Sequence, residues 1–483
     1  MTENKIKSRA VSGMAWTGFE RIASIGIQFI IGIIIARLLS PEDYGVMGML
    51  AIFIAIAQTF LDSGFANALI QKKNRTNVDY STVFYFNIAI SFVLYAIMFI
   101  SAPAIAAFYS MPILTDVTRV VTISLIINGL SIIQTAKLSI DLNFKLQSLA
   151  SILSVLLSGI LGIVLAILEY GVWALVFQTI AAALVRTIIL WLFSHWRPMF
   201  TFSIQSFKTL FSFGSKILCS GMINTIYQDL YTLVIGRCFS AADVGFYNRA
   251  NQFSFLPVNT MTQTVLKVNF PILSQYQDDN IQLLQAYKKL LRIPIFILYP
   301  IMFGIMAIAS PLVEILLGSK WLPCVPILQI LCMGYIWSPL THINLNLLYV
   351  KGRSDLVLKL EFIKKPIAFI ILFASIPFGL IGMCIGRAFY FFLAFFLNCF
   401  YTNKILKYGF KSQMKEILPI LFNSLIMFGL IYLSQQLFDT TLLRIIIGTI
   451  IGCASYIFFA FIIKDESLKD LSRIVKQRCK CFQ

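Results

Sequence analysis

Charge is scarce in this chain. Only 12% of its 483 residues are Asp, Glu, Lys or Arg, while 59% are hydrophobic. A soluble globular chain carries about 25% charged residues. No soluble domain covers itself with so few, which excludes a soluble enzyme, a disordered protein and a secreted scaffold. Histidine is nearly absent, with two residues far apart at His195 and His342. That leaves no His-Glu-x-x-His metal motif, and there is no Walker A pattern for ATP. No Asp-x-Asp sugar-nucleotide site stands out either. Nine cysteines are present, most of them single residues in apolar runs. Those read as small buried hydrophobes, not a disulfide framework. Cys479 and Cys481 form the one close pair, and their spacing is neither a zinc knuckle nor a redox motif. Long polar segments are missing too. The longest gaps between apolar runs, about 194–208 and 271–288, leave no room for an extramembrane domain of about 50 residues.

What is abundant is apolar length, and the mean hydropathy is +0.84. A membrane helix needs about 20 apolar residues. Fourteen such runs lie between residues 10 and 463. Their lengths fit helices, not barrel strands of about 10 residues. The expectation is an all-α polytopic membrane protein with about fourteen transmembrane helices.

The net charge, 39 − 21 = +18, is distributed by loop. The first, third and later odd-numbered gaps are short and nearly free of Lys and Arg, with Lys320 as a partial exception. The even gaps carry Lys72, Lys73 and Arg75, then Lys145, Arg197 and Lys208, Lys288 and Lys289, Lys351 and Arg353, and Lys404, Lys407 and Lys411. The positive-inside rule then puts both termini in the cytoplasm and makes the span count even. No basic stretch sits in a soluble domain, so nucleic acid is not expected as a partner. The basic start followed by an uncleaved apolar run reads as a first membrane helix, not a signal peptide.

An internal repeat divides the chain. Arg37, Ser40, Asp43 and Gly45 recur as Arg237, Ser240, Asp243 and Gly245, and Gln28 recurs as Gln228, all at an offset of 200. Both copies start on the same side with six runs between them, so the repeat is parallel. Transporters built this way bind substrate between their halves and alternate access. The repeated turn also has a structural reading. Ser followed three residues later by Asp caps a helix start. The glycines permit a tight reversal, and the arginines meet terminal carbonyls. The chain is thus read as an N-terminal lobe, 1–200, a C-terminal lobe, 201–410, two extra helices, 411–463, and a basic cytoplasmic tail, 464–483.

Further segments share a pattern: Asp62-Ser63-Gly64-Phe65, Gly171-Val172-Trp173, Trp196-Arg197-Pro198, Gly245-Phe246-Tyr247-Asn248-Arg249-Ala250 and Gly318-Ser319-Lys320-Trp321. Together with Ala36–Gly45 they resemble the Wzx-type polysaccharide flippases of the multidrug/oligosaccharidyl-lipid/polysaccharide exporter superfamily, in the colanic-acid-exporter-like branch. The resemblance runs from about residue 10 to 330. It implies two pseudo-symmetric six-helix lobes plus two C-terminal helices. It also implies an undecaprenyl-diphosphate-linked oligosaccharide as substrate, in a bacterial cytoplasmic membrane. Polysaccharide polymerase machinery would be a partner alongside membrane lipids. No cofactor and no enzymatic activity are expected. Other readings stay open: an ion-coupled multidrug antiporter, a lipid II flippase, and a membrane enzyme of glycan assembly.

Charges at membrane depth are costly and mark function. Thr17, Arg21, Ser24, Gln28 and Gly32 keep one face of the first helix. Lys216, Ser220, Asn224, Gln228 and Thr232 repeat that stripe in the seventh. The stripes are expected to line a cleft between the lobes, with a packed polar seam as the alternative. Arg21, Arg249 and Lys216 are the candidates for the diphosphate: the two guanidinium groups can pair phosphate bidentately and stay charged, and Lys216 adds an ammonium. Gln28, Asn224 and Gln228 are the polar substrate contacts. Asp62 and Asp229 are candidates for H⁺ or Na⁺ coupling, with pairing to an arginine as the alternative. Arg186 and Arg387 are further intramembrane charges without an assigned role. No metal site is expected.

Overall fold

The computed structural model describes residues 3–469 other than 63, 73 and 195; for residues 3–12, 14, 15, 213, 216, 217, 220, 223 and 224 it describes the backbone alone. Every regular element among the described residues is helical. Hydrocarbon offers a backbone no hydrogen-bond partners, so a long apolar run must satisfy its own amides, which a helix does. Large apolar side chains such as Ile22, Leu192, Phe362 and Phe461 stand exposed along these helices. Such a surface is stable against lipid tails, not water. The chain is an all-α, multi-pass membrane protein.

It forms two compact units, Met1–Gly245 and Phe246–Gln483. The first contains α1 (Glu3–Leu38), α2 (Pro41–Asp62), α3 (Phe65–Gln71), α4 (Asn77–Tyr109), α5 (Ile113–Val121), α6 (Ile123–Gly129), α7 (Ile132–Ile140), α8 (Phe144–Ile167), α9 (Val172–Phe193) and α10 (Ile204–Cys238). The next helix, α11 (Ala241–Gln275), begins in the first unit and continues in the second. This contact boundary lies 45 residues beyond the repeat boundary at 200, because α10 packs on α2, α3 and α4.

In the first unit α8 packs between α1 and α9. Small residues on α8 make this possible: Gly162 receives Ile35, whose Cδ1 would stand 3.0 Å from a Cβ there. Ile31, Ile35 and Leu39 share a core with Ala166, Ala174 and Leu175. A second core gathers Phe65, Phe84, Trp196 and Leu210. The start of α4 is fixed by a capping box, in which Asp79 N donates to Thr76 Oγ1 and Thr76 N donates to Asp79 Oδ2. Lys72 pairs with the same buried carboxylate at 2.7 Å.

The second unit holds α12 (Asn280–Ala307), α13 (Ala309–Leu317), α14 (Cys324–Tyr335), α15 (Ser338–Val350), α16 (Ser354–Ser375), α17 (Gly379–Leu406), α18 (Phe410–Gln435) and α19 (Thr441–Ile462). Its core contains a closed polar cluster. Asn344 and Gln413 exchange amide hydrogen bonds of 3.1 and 3.0 Å, and Thr402 Oγ1 donates to Asn344 Oδ1 at 2.6 Å. Fully satisfied buried networks of this kind rigidify a core. Arg292 of α12 pairs with Glu416 of α18 at 3.1 Å and with Asp465, just past α19, at 3.6 Å. Glu466 reaches the same guanidinium.

Among the described residues, eleven stretches are long and apolar enough to cross a membrane by length and composition. They differ from the fourteen expected runs in identifiable places. The stretch Ser354–Leu406 holds both α16 and α17. The helices α10 and α11, 35 residues each, fall outside the eleven, because Lys216, Asn224, Gln228 and Asp229 in one and Asn248, Arg249, Asn251 and Gln252 in the other dilute their apolar character. Four expected runs are also broken within, two of them between α2 and α3 and between α12 and α13. Between α5 and α6, Thr122 Oγ1 returns to the Thr118 carbonyl at 2.7 Å, a back-bond that loosens helical pairing. Pro339 at the start of α15 separates it from α14.

Candidate functional site

The repeated elbows come first in the chain. At Ser40 the backbone N donates to Asp43 Oδ2 (2.9 Å), the hydroxyl donates to the same oxygen (2.6 Å), and Asp43 N donates back to Ser40 Oγ (3.2 Å). Ser240 and Asp243 repeat all three, at 3.1, 2.7 and 3.1 Å. Each pair is a reciprocal capping box at the start of a helix. Gly45 and Gly245 do not make the reversal, since both lie inside helices and neither has a positive φ. Their role is close approach. A Cβ on Gly45 would strike the Ala241 carbonyl, and one on Gly245 would strike the Pro41 carbonyl. The contact is reciprocal across the repeat. Arg237 donates from Nη1 to the Phe108 carbonyl near the end of α4 and stacks on the Phe108 ring at 5.1 Å. Arg37 occupies the last turn of α1.

The second feature is a polar cavity of about 300 Å³ inside the first unit. Helical spacing builds it. Glu20, Ser24 and Gln28 recur every four residues on α1 and so share a face. Ser124 and Asn128 do the same on α6. Ser151 and Ser154 come from α8, and Thr179 and Arg186 from α9. Among the described residues, neither Glu20 nor Arg186 has a hydrogen-bond or ion-pair partner. A polar chain leads away from it: Asn128 Nδ2 donates to Gln58 Oε1, and Gln58 Nε2 donates to Asp62 Oδ1, both at 3.3 Å.

The sequence candidates fall as follows. Arg21 is exposed on α1, outside the cavity lining, and no hydrogen bond or ion pair among the described residues reaches it. Gln28 lines the cavity. The side chains of Lys216 and Asn224 lie outside the described residues. On α10, Gln228 is exposed and Asp229 half-buried. Asp62 ends α2 and takes the hydrogen bond from Gln58. Arg249, on α11, is 8% exposed; its Nη1 donates to Gln252 Oε1 at 2.7 Å and its guanidinium lies 5.9 Å from the Trp321 ring. In the same unit Arg387 donates to Tyr335 Oη at 2.8 Å, which in turn donates to Asn251 Oδ1 at 2.6 Å. No group of three or more His, Cys, Asp or Glu suited to a metal occurs among the described residues.

Residues 34–326 match the sequence family described as "Polysaccharide biosynthesis protein". The chain belongs to this family. Within the polysaccharide biosynthesis family segment lie both elbows and Arg249, whereas Glu20, Arg21 and Gln28 precede it. Similar proteins span nearly the whole chain. The teichuronic acid biosynthesis protein TuaB of Bacillus subtilis is 26% identical, covering 94% of this chain and 95% of TuaB. The succinoglycan biosynthesis transport protein ExoT of Rhizobium meliloti is 24% identical, covering 99% and 98%. The lipopolysaccharide biosynthesis protein WzxC of Escherichia coli is 25% identical over 79% of this chain and 78% of its own. Among solved structures, the lipid II flippase MurJ in an inward-closed conformation superposes with a TM-score of 0.74 at 17% identity, covering 95% of this chain and 100% of MurJ. An inward-facing multidrug resistance transporter of the MATE family gives 0.60 at 16%, covering 80% and 98%. These likenesses define the fold.

Sequence reasoning singled out Arg186 without a role and did not bring it together with Glu20. A signal existed on α1, where Glu20, Ser24 and Gln28 stand at steps of four. Their meeting with α6, α8 and α9 is a tertiary fact that no local spacing encodes.

Proposed function

We propose that the chain is a flippase that carries undecaprenyl-diphosphate-linked oligosaccharide repeat units across the bacterial cytoplasmic membrane, by alternating access, for surface polysaccharide assembly. The observation that carries this reading is the similarity, across about four fifths of the chain or nearly all of it, to proteins named for teichuronic acid, succinoglycan and lipopolysaccharide biosynthesis, one of them named as a transport protein. The membrane-spanning helical fold, without an extramembrane domain among the described residues, supports transport over catalysis.

In this reading both termini are cytoplasmic, and the polymerase machinery receives the flipped unit. Arg21, Lys216 and Arg249 hold the diphosphate, the two guanidinium groups bidentately and the Lys216 ammonium as a point charge. Gln28, Asn224 and Gln228 are neutral contacts along the path. Asp62 and Asp229 couple turnover to H⁺ or Na⁺, and no other cofactor takes part. Arg21 fits its role best, because a charge at membrane depth without a partner is expensive unless a ligand supplies one.

The test is reconstitution in liposomes with a fluorescent undecaprenyl-diphosphate oligosaccharide, scoring its appearance in the outer leaflet. Wild type flips it, and Arg21→Ala slows flipping at least about tenfold. Flipping that survives the substitution removes Arg21 from the diphosphate site. Lipid II flipped in preference to all glycan-repeat lipids replaces the reading with a peptidoglycan one, and dye efflux alone replaces it with a drug antiporter.

A further inference from the structure

The cavity inside the first unit has a chemistry that the diphosphate reading does not use. It is lined by one carboxylate, Glu20, and one guanidinium, Arg186, with hydroxyls and amides between them. That mixture excludes several ligand classes. A metal ion prefers oxygen ligands without a fixed positive charge among them, and Arg186 supplies one. A diphosphate would meet Arg186, but also Glu20, which repels it. An apolar drug would bury the Glu20 and Arg186 charges against itself, which is costly, and no aromatic ring lines this cavity. A proton needs only a carboxylate and no cavity of about 300 Å³.

A sugar ring fits. Each hydroxyl both donates and accepts, so it needs donors and acceptors side by side. The lining offers both. Arg186, whose charge also acts on Asp62, and the Gln28 amide are donors that make no hydrogen bond among the described residues. Ser24 Oγ is buried without a hydrogen bond, which leaves it open to either role. Glu20 accepts, and a carboxylate spans two neighbouring hydroxyls. The Ser154 hydroxyl spends its proton on the Ser151 carbonyl at 2.8 Å, which leaves its lone pairs to accept. Asn128 donates to Gln58, which leaves its own carbonyl oxygen to accept. The volume lies at the low end of ligand pockets, about 300–1,000 Å³, room for one ring and not for a chain of them.

We propose that this cavity binds one saccharide ring of the transported repeat unit, with Glu20 accepting from a pair of ring hydroxyls and Arg186 donating to ring or hydroxyl oxygens. The site rests on the flippase reading and names where that substrate's glycan is read. It makes Glu20 and Arg186 specificity residues for the sugar, separate from those assigned to the diphosphate.

The test uses the full-length protein in lipid nanodiscs and two probes. One is the free oligosaccharide released by mild acid from the cell's own lipid-linked repeat unit. The other is undecaprenyl diphosphate without sugar. Glu20→Gln and Arg186→Gln are each expected to weaken oligosaccharide binding about tenfold, the loss of one charged hydrogen bond, and to leave undecaprenyl diphosphate binding unchanged. Should either variant fail to fold, Ser24→Val carries the same test, since it narrows the cavity and removes only an unpartnered hydroxyl. Oligosaccharide binding equal to wild type in the folded variants overturns the sugar site while the flippase reading stands. A parallel loss for both probes overturns the sugar assignment in favour of general damage or a phosphate site. Wild-type protein that binds neither probe and flips no glycan lipid overturns the flippase reading, and the sugar site with it.

Discussion

The two elbows, Ser40–Gly45 and Ser240–Gly245, are nearly superimposable in chemistry. Their Ser–Asp hydroxyl bonds are 2.6 and 2.7 Å, and each glycine lies against the other copy's backbone. The helices that lead into them have diverged. α1 turns Glu20, Ser24 and Gln28 toward a polar cavity, whereas α10 packs on α2, with Thr225 sharing a hydroxyl bond with Thr59 at 3.0 Å. Backbone geometry has preserved the elbows, because only Gly tolerates that approach and only a short acceptor side chain caps there. Side-chain neighbours set the rest, and those differ between the copies.

The sharpest way to break this likeness is at the glycines. Gly45→Val or Gly245→Val drives a branched side chain into a backbone carbonyl, at an expected cost of about 3 kcal/mol or more. A lowered melting temperature of the purified protein in detergent reads it. Because the contact is reciprocal, the double Gly→Ala variant should cost less than the sum of the singles; additive costs would show two independent contacts. Next come the caps. Asp43→Ala and Asp243→Ala should each cost about 1 kcal/mol, and equally, since their hydrogen bonds match. Arg237→Ala removes a bond to the Phe108 carbonyl and should cost about 0.5–1.5 kcal/mol, measured by the same melt.

The smallest effect serves as a control outside the repeat. Asp279 caps α12, accepting from Ile281 N and Gln282 N at 2.9 and 3.1 Å. These backbone donors, that of Gln282 foremost, hold its carboxyl below the usual carboxylate range. Its folded value is lower than its unfolded one, so its contribution is present above about pH 4 and disappears as pH falls through the folded value. Asp279→Asn should therefore flatten the acid limb of a stability-against-pH profile slightly.

Much of this was readable beforehand. The apolar runs gave the helices, and a match at constant offset gave the elbows with their Ser–Asp caps. The reason for Gly45 was not readable, because a turn glycine and a close-approach glycine look alike until the opposing carbonyl is known. The break at Thr122 sits in a run that reads as one helix, and the hydroxyl back-bond reveals it. The cavity escaped for a related cause. Its walls come from residues 20–28, 124–128, 151–155 and 179–186, brought together by packing on α8 and α9. Each segment alone shows at most one or two charges, and nothing in its own spacing says which other segment it faces.

Arg292 carries a practical consequence. Its carboxylate partners come from Glu416 on α18 and from Asp465 and Glu466 beyond α19. A topology reporter joined after Ile462 would discard the last two and leave the guanidinium with Glu416 alone. A reporter joined after Gln483 keeps all three, so a sidedness assay built on the longer fusion measures the native arrangement of the chain's end and the shorter one measures a damaged protein.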